Sequence, residues 1–311
     1  MAKQRFDLFC VGGTSVDIVL RVPRLLTSGE KLPVEFEGRV PGGMIANTAC
    51  AAGRLGMHTG WSGRVGDDDA GEEYLAAFAE YGVDASTAQV MPDSITDLCV
   101  VLVEPSGERS LMVVPTISAL PQLTPAVGEL LRACRIGYTI PYTYGWFGKF
   151  ADAVHSGGGQ VAVDVEASIP LHGQDLLDAL RLVDIIFCSE DGARFASGRQ
   201  KVDDAAKMLL DLGPSLVVVT MGGSGAAAYQ REESCKVPGF CVPVVDTTGA
   251  GDCFHAAFLS GWLQQFSLER CLLIASAAAG IAIGHDGPRG GLPTSDEVVA
   301  FLEAHGFSEN K

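Results

Sequence analysis

The sequence predicts an α/β fold with a mainly parallel central sheet, and three observations carry the prediction. From residue 161 onward, short apolar runs alternate with longer segments of helical period: 161–165, then 175–182, 184–188, 201–212 and 216–220. Strict alternation of strand and helix is the pattern of a parallel sheet with helices on its faces. The first apolar run, Phe6 to Val11, stops at Gly12-Gly13, as a buried strand entering a turn does. The chain has 311 residues, 47% of them apolar, enough for one large domain with a sizeable core.

Taken in order, the elements divide into two kinds. In open α/β sheets ligands lie beyond the carboxyl ends of strands. Asp17, just past the first strand, is therefore a candidate for holding a polar substrate, the alternative being a surface turn aspartate. The segment 18–40 mixes extended patches with Pro23, Gly29, Pro33 and Gly38, and reads as short strands rather than a strand–helix unit. Pro41-Gly42-Gly43 opens onto a helix with Ile45, Ala49, Ala52 and Leu55 on one face, closed by Gly56. Gly42 and Gly43 expose first-turn amides and Asn47 lies one turn in, so this is either a ligand-binding helix start or a tight turn. Residues 61–65 read as a strand and 71–81 as a helix with Tyr74, Leu75, Phe78 and Tyr81 aligned.

Segments 97–103 and 109–114, joined by Glu104-Pro105-Ser106-Gly107-Glu108, read as a hairpin. With the 18–40 strands it can form a small sheet that closes over a site and keeps water from it. Between 137 and 150, Tyr138, Tyr142, Tyr144, Trp146 and Phe147 crowd together, either as packing or as a face for a sugar or a base.

The chemistry concentrates near the C-terminus. Residues 241–245 read as the end of a strand, and Asp246-Thr247-Thr248-Gly249-Ala250-Gly251-Asp252 follows. Phe254, Ala257, Phe258, Gly261 and Trp262 then mark one face of a helix. Glycines at a strand-to-helix turn let the backbone approach a ligand, and first-turn amides attract anions. Asp252 sits in that turn. A carboxylate beside an anion site fits phosphoryl transfer, with Asp252 taking the proton of an attacking hydroxyl; alternatively it only complements the helix dipole. Met221-Gly222-Gly223-Ser224-Gly225-Ala226 is a loop that can pass beneath a nucleotide or turn a hairpin. An alanine-rich final helix is expected over 268–283. The loop His285-Asp286-Gly287-Pro288-Arg289-Gly290-Gly291-Leu292-Pro293 is expected to lack regular structure, with carbonyls that can ligate a cation.

Other classes are excluded by composition and by missing motifs. A net charge of −16 disfavours nucleic acid and anionic membrane surfaces as partners. No apolar run is long enough to span a bilayer. The N-terminal stretch has no signal-peptide core, which predicts a cytoplasmic protein. Nine scattered cysteines without a CxxC pair predict buried thiols and no zinc site. Neither GxGxxG nor GxxxxGK[ST] occurs, so a bound nucleotide is not held by a dinucleotide fingerprint or a P-loop.

Two separated stretches resemble the signatures of the ribokinase/PfkB carbohydrate kinases: Gly42-Gly43 with Asn47 and Ala49 through Gly56, and Asp246 through Asp252. The likeness covers the whole chain, from Gly12 and Asp17 to the 287–293 loop. It implies a single ribokinase-like domain over 1–311, a three-layer sandwich on a roughly nine-stranded, mostly parallel sheet. The small β-sheet lid would be drawn from about 18–40 and 97–114. It implies transfer of the ATP γ-phosphoryl group to a small sugar, a ketose or related carbohydrate. Asp252 would be the base, Gly249, Ala250 and Gly251 the anion hole, and Asp17, Gly42, Gly43 and Asn47 the substrate holders. Thr220, Gly222 and Gly225 would lie along the nucleotide, with Ser276 near the adenine. Mg²⁺ is expected with ATP. K⁺ is expected beside the anion hole, at Asp246, Thr248, Ala282, Gly287 and Gly291. The resemblance also implies a homodimer joined through the lids.

Three departures stand out. Ser189-Glu190-Asp191-Gly192-Ala193-Arg194 lacks the family's Asn-x-x-Glu, leaving Glu190 or Asp191 to help place Mg²⁺. Met44 stands where ribokinase-like members have lysine. The Tyr- and Trp-rich segment stands where they have a substrate-binding glutamate. The 189–194 and 289–293 stretches look most like the ketose and sulfofructose kinase branches. A nucleoside kinase of the same fold is the nearest competing reading. A non-catalytic sugar- or nucleotide-binding regulator and a nicotinamide oxidoreductase are the readings from other classes.

Overall fold

The computed structural model describes residues 6–105, 109–117 and 119–307. Its main sheet has nine strands. From edge to edge they are Ser234–Val237, Ala226–Tyr229, Leu216–Thr220, Ile185–Ser189, Gln160–Val165, Cys134–Thr139, Phe6–Val11, Thr59–Ser62 and Val83–Asp84. The first two run antiparallel to their neighbours; all other pairings are parallel. Parallel strands are covered by helices on both faces and so need unbroken apolar runs. Leu216–Thr220 (LVVVT) and Ile185–Ser189 (IIFCS) are buried at every position but the last.

After Phe6–Val11 the chain first builds outward on one side, to Thr59–Ser62 and Val83–Asp84. It then returns to add Cys134–Thr139 on the other side. That reversal opens a crevice at the carboxyl ends of the central strands. The helices form two groups. Met44–Arg54, Ala250–Leu263, Leu268–Ala282 and Ser295–Ala304 pack together, as do Pro125–Arg132, Tyr144–Ser156, Gly173–Leu180, Glu190–Ser197 and Val202–Leu212. Among the described residues no helix is long and apolar enough to cross a membrane.

A separate four-stranded sheet has the order Glu35–Gly42, Ser15–Arg21, Leu98–Val103, Arg109–Val114. Val19, Cys99, Val101 and Val103 pack together on one face. The two hairpin strands pair antiparallel with Val103 opposite Arg109. Their connecting turn, at 106–108, lies outside the described residues.

Several expectations need correction. Residues 241–245 are not a strand: Pro243 has no amide to donate, and Val244 and Val245 are exposed, the latter bonding through its amide to the Ile283 carbonyl. The 285–293 loop contains a one-turn helix, Gly287–Gly290, started by Pro288 in its first turn. The 268–283 helix is not the last, because Ser295–Ala304 follows, opened by a capping box between Thr294 and Glu297. Residues 61–65 split into two strands, Thr59–Ser62 and Arg64–Gly66.

Candidate active site

The turn before helix Ala250–Leu263 is fixed from within. The Asp246 carboxylate accepts from the Thr248 amide (2.6 Å) and from the Gly287 amide (2.9 Å), which ties the turn to the C-terminal loop. Gly249 has φ of 75°, and a Cβ there would lie 2.7 Å from the Pro288 carbonyl oxygen, so only glycine fits. The first intrahelical bond runs from the Cys253 amide to the Gly249 carbonyl (2.9 Å), leaving the amides of Gly251 and Asp252 ahead of it. Among the described residues nothing lies within 4 Å of the Cβ position of Gly251. An anion can therefore come up to that backbone.

Asp252 is buried, and its Oδ2 accepts from Asn47 Nδ2 at 2.9 Å. Burial pushes its carboxyl up to about 7; the Asn47 bond works against that rise and the charge of Glu166 adds to it. Asn47 is oriented in turn, since its Oδ1 accepts from Arg289 Nε at 2.9 Å. Arg289 is itself buried. Its Nη2 donates to the Gly42 carbonyl (3.2 Å) and to the Tyr74 hydroxyl, which donates to the same carbonyl. The guanidinium lies over the Tyr74 ring at 4.7 Å, and its Nη1 is buried with no hydrogen-bond partner among the described residues. A guanidinium can only donate, so the Asn47 amide is held with its NH₂ toward Asp252. The second oxygen of Asp252 remains for an acceptor hydroxyl.

Asp17 is buried beside this network, with Oδ1 accepting from Ser15 Oγ at 2.7 Å. Burial raises its carboxyl above the ordinary range, against the pull of Ser15 and Arg289. Gly42 packs directly on it: a Cβ on Gly42 would lie 2.3 Å from Asp17 Oδ1.

Two clefts meet at the turn. One, of about 560 Å³, is lined by Thr220, Gly222, Gly225 and Ser276, the four residues expected along a nucleotide, together with Ala250 and Gly251. The other, of about 330 Å³, lies under the small sheet and is lined by Asp17, Arg109, Asp246, Thr248 and Gly287, with Val19, Val101 and Val103 above. Gly42, Gly43, Asn47, Gly249 and Asp252 line neither opening. Gly42 and Asn47 nonetheless reach the site through Asp17 and Asp252.

The expected cation set is brought together only in part. Ala282 and Gly291 pack against each other, the Cβ position of Gly291 lying 2.6 Å from the Ala282 carbonyl oxygen. That carbonyl already accepts from the His285 amide at 3.2 Å. The charge of Asp246 is already met, because besides the two amides its Oδ1 holds Arg109 Nη1 at 2.5 Å. A carboxylate with three donors, one a permanent cation, does not fit a further monovalent ion. Glu190 opens helix Glu190–Ser197, pairs with Arg194 at 3.6 Å and lines neither cleft. Among the described residues no three His, Cys, Asp or Glu side chains gather to hold a metal.

Sequence reasoning missed Arg289, Arg109 and Tyr74, whose partners are all distant in the chain. It also missed two further buried titratable groups, His255 and Asp164. His255, one turn beyond Asp252, bonds the Tyr138 hydroxyl at 2.9 Å and is pushed down to about 3 by burial. Asp164, 4.0 Å from His255, is pushed well above its ordinary range by burial, Glu166 and Asp252.

The description "pfkB family carbohydrate kinase" matches residues 5–295 of the chain. The ribokinase of Haemophilus influenzae is 28% identical over 308 residues, spanning 96% of this chain and 99% of its own. The fructokinase of Klebsiella pneumoniae is 32% identical over 288 residues, spanning 86% of this chain and 94% of its own. Among solved structures, the Arabidopsis thaliana ribokinase complexed with ribose and ATP superposes with a TM-score of 0.86 at 26% identity. That match covers 96% of this chain and 99% of the other.

Proposed function

This chain belongs to the pfkB family of carbohydrate kinases, and we propose that it moves the γ-phosphoryl group of ATP onto a hydroxyl of a small ketose-like sugar. It is an ATP-dependent sugar kinase. One observation carries the finer reading: a buried carboxylate, Asp252, stands in the first turn of a helix whose first residues, Ala250 and Gly251, line the larger cleft.

The co-substrate, MgATP, occupies the glycine-lined cleft with its terminal phosphate at residues 249–251. The sugar lies under the lid, its hydroxyls on Asp17 and Asn47. The free oxygen of Asp252 takes the proton of the attacking hydroxyl as that oxygen bonds to phosphorus and ADP leaves. The amides meet the charge that builds on the transferring group. A base with a pKa near neutrality balances availability against proton affinity. The small sheet, drawn from Ser15–Arg21, Glu35–Gly42, Leu98–Val103 and Arg109–Val114, closes over the sugar.

The nucleoside reading finds no support in the aromatic segment. Tyr138 and Phe147 are fully buried, Trp146 Nε1 donates to the Pro121 carbonyl at 2.7 Å and the Tyr142 hydroxyl accepts from the Gly13 amide at 3.0 Å, so these four rings are packing and only Tyr144 of the cluster is exposed. The edge strand Arg109–Val114 exposes Leu111, Met112, Val113 and Val114 in succession. Such an edge invites a second copy, which supports a homodimer joined lid to lid.

A panel of ketoses, aldoses and nucleosides in a coupled ADP-release assay tests the substrate class. Turnover with a ketose is expected. Turnover with nucleosides alone would remove the sugar assignment, and no turnover with any acceptor would remove the kinase reading.

A further inference from the structure

The small sheet carries a cation of its own into the site. Arg109, the first described residue of strand Arg109–Val114, reaches across the lid cleft, so that its Nη1 is 2.5 Å from Asp246 Oδ1. Both side chains are largely withdrawn from solvent, at 19% and 9% exposure. The cleft's other arginine, Arg21, is committed to Glu37. Asp246 thus accepts three donors: Thr248 N and Arg109 on one oxygen and Gly287 N on the other. Burial alone would push this carboxyl up, yet the Thr248 amide, Arg109 and the Gly287 amide together hold it below its ordinary value.

The position matters because Asp246 is the anchor of the turn. Its two amide bonds connect the segment leading into Gly249–Gly251 with the 287–291 loop, and Arg289 in that loop orients Asn47 against Asp252. An uncompensated carboxylate here would be buried beside incoming phosphates. The family resemblance puts a potassium ion at this carboxylate, whereas this chain puts a guanidinium there.

We propose that Arg109 is a tethered replacement for the monovalent cation: borne on the lid, it neutralises Asp246 when the lid shuts, so the amide cradle is set without bound potassium. The proposal rests on the kinase reading for its effect on turnover. Its structural content, which cation Asp246 accepts, does not. Closure and charge compensation become one event, because an open lid takes the guanidinium away from Asp246.

Two measurements on the full chain decide the matter. Crystals of the wild type and of Arg109→Ala are soaked in thallous ion, a potassium mimic with a strong anomalous signal. A peak at Asp246 is expected in Arg109→Ala alone. A peak there in the wild type, or none in the variant, overturns the proposal. In parallel, turnover is compared in potassium and in tetramethylammonium salts. The wild type and Arg109→Lys are expected to work equally in both. Arg109→Ala is expected to lose about tenfold or more in tetramethylammonium, because an unpaired buried charge is left behind. Potassium or guanidinium ion should restore it. A wild type that needs potassium, an unimpaired Arg109→Ala, or a loss that neither ion restores each overturn the proposal. Should no acceptor be turned over at all, the kinase reading fails and the thallium result alone decides the role of Arg109.

Discussion

The two clefts that meet at the 246–252 turn are built from opposite materials. Among the described residues the larger has no charged side chain in its lining: glycines 222, 223, 225, 239, 251 and 280, apolar groups such as Phe240 and Ala279, and the hydroxyls of Thr220, Thr247 and Ser276. The smaller is lined by Asp17, Arg21, Glu37, Arg109, Asp246 and Asp286. On the proposed assignment the contrast follows from what each would hold. A triphosphate arrives with its own charge and metal; amides and a helix start can receive it, and carboxylates would repel it. A sugar is neutral and offers hydroxyl protons, which buried carboxylates accept. Within a chain of net charge −16, the larger cleft is kept free of the prevailing sign.

Mutations on the boundary and on either side can break that division. The largest effect is expected for Asp252→Asn: turnover falls by about 10²–10⁴-fold while ATP affinity, read by calorimetric titration, is unchanged. A matching loss of ATP affinity would mean that the carboxylate serves the nucleotide cleft as well. The same variant tests the perturbed acid. Because the folded-state carboxyl is raised to about 7, the folded protein binds more protons than the unfolded chain from the ordinary carboxylate range up to that value. Stability contributed by this group is therefore lost as pH rises through that window. Asp252→Asn should gain melting temperature relative to wild type at pH 8 and gain little at pH 4, a difference on the order of a few kcal/mol. In the wild type, kcat/KM should climb with pH with a midpoint near 7, since the base must be ionised.

Arg289→Met comes next, with an expected loss of about 10–100-fold as the Asn47 amide loses its orienting donor. Its signature is a kcat/KM midpoint moved to higher pH, because a cation that favours ionised Asp252 has gone. A lower rate with an unmoved midpoint would mark Arg289 as packing alone. Gly42→Ala sharpens the comparison from the sugar side. The added methyl overlaps Asp17, so the acceptor KM should rise by about tenfold with the ATP KM unaltered. The smallest effect on catalysis is expected for Val113→Lys on the exposed lid edge: scattering should report a monomer, with turnover within about twofold of wild type.

What could be read in the sequence was local. The turn from Asp246 to Asp252 announces itself because its glycines, the carboxylate that ties the turn and the carboxylate proposed as base are contiguous. Leu216–Thr220 and Ile185–Ser189 are legible because strands covered on both faces must be apolar throughout. Residues 241–245 look the same, but Pro243 and the exposure of Val244 and Val245 take them out of any sheet. Helix Tyr144–Ser156 was hidden because its aromatic cluster masked the helical spacing of Phe147, Phe150, Ala151 and Val154, which are the residues it buries. Arg289 and Arg109 could not be read at all. A single arginine in a glycine-rich loop, or at the start of an edge strand, has no local pattern, and its partner is chosen only when the chain folds back.

The hydrogen-bond chain through Asn47 has a bearing on how the protein is made. Asn47 is 205 residues from Asp252 and 242 from Arg289, and the three side chains touch. A ribosome must release the chain through Arg289 before these groups can meet, so any shorter product lacks the network that orients Asn47 against Asp252.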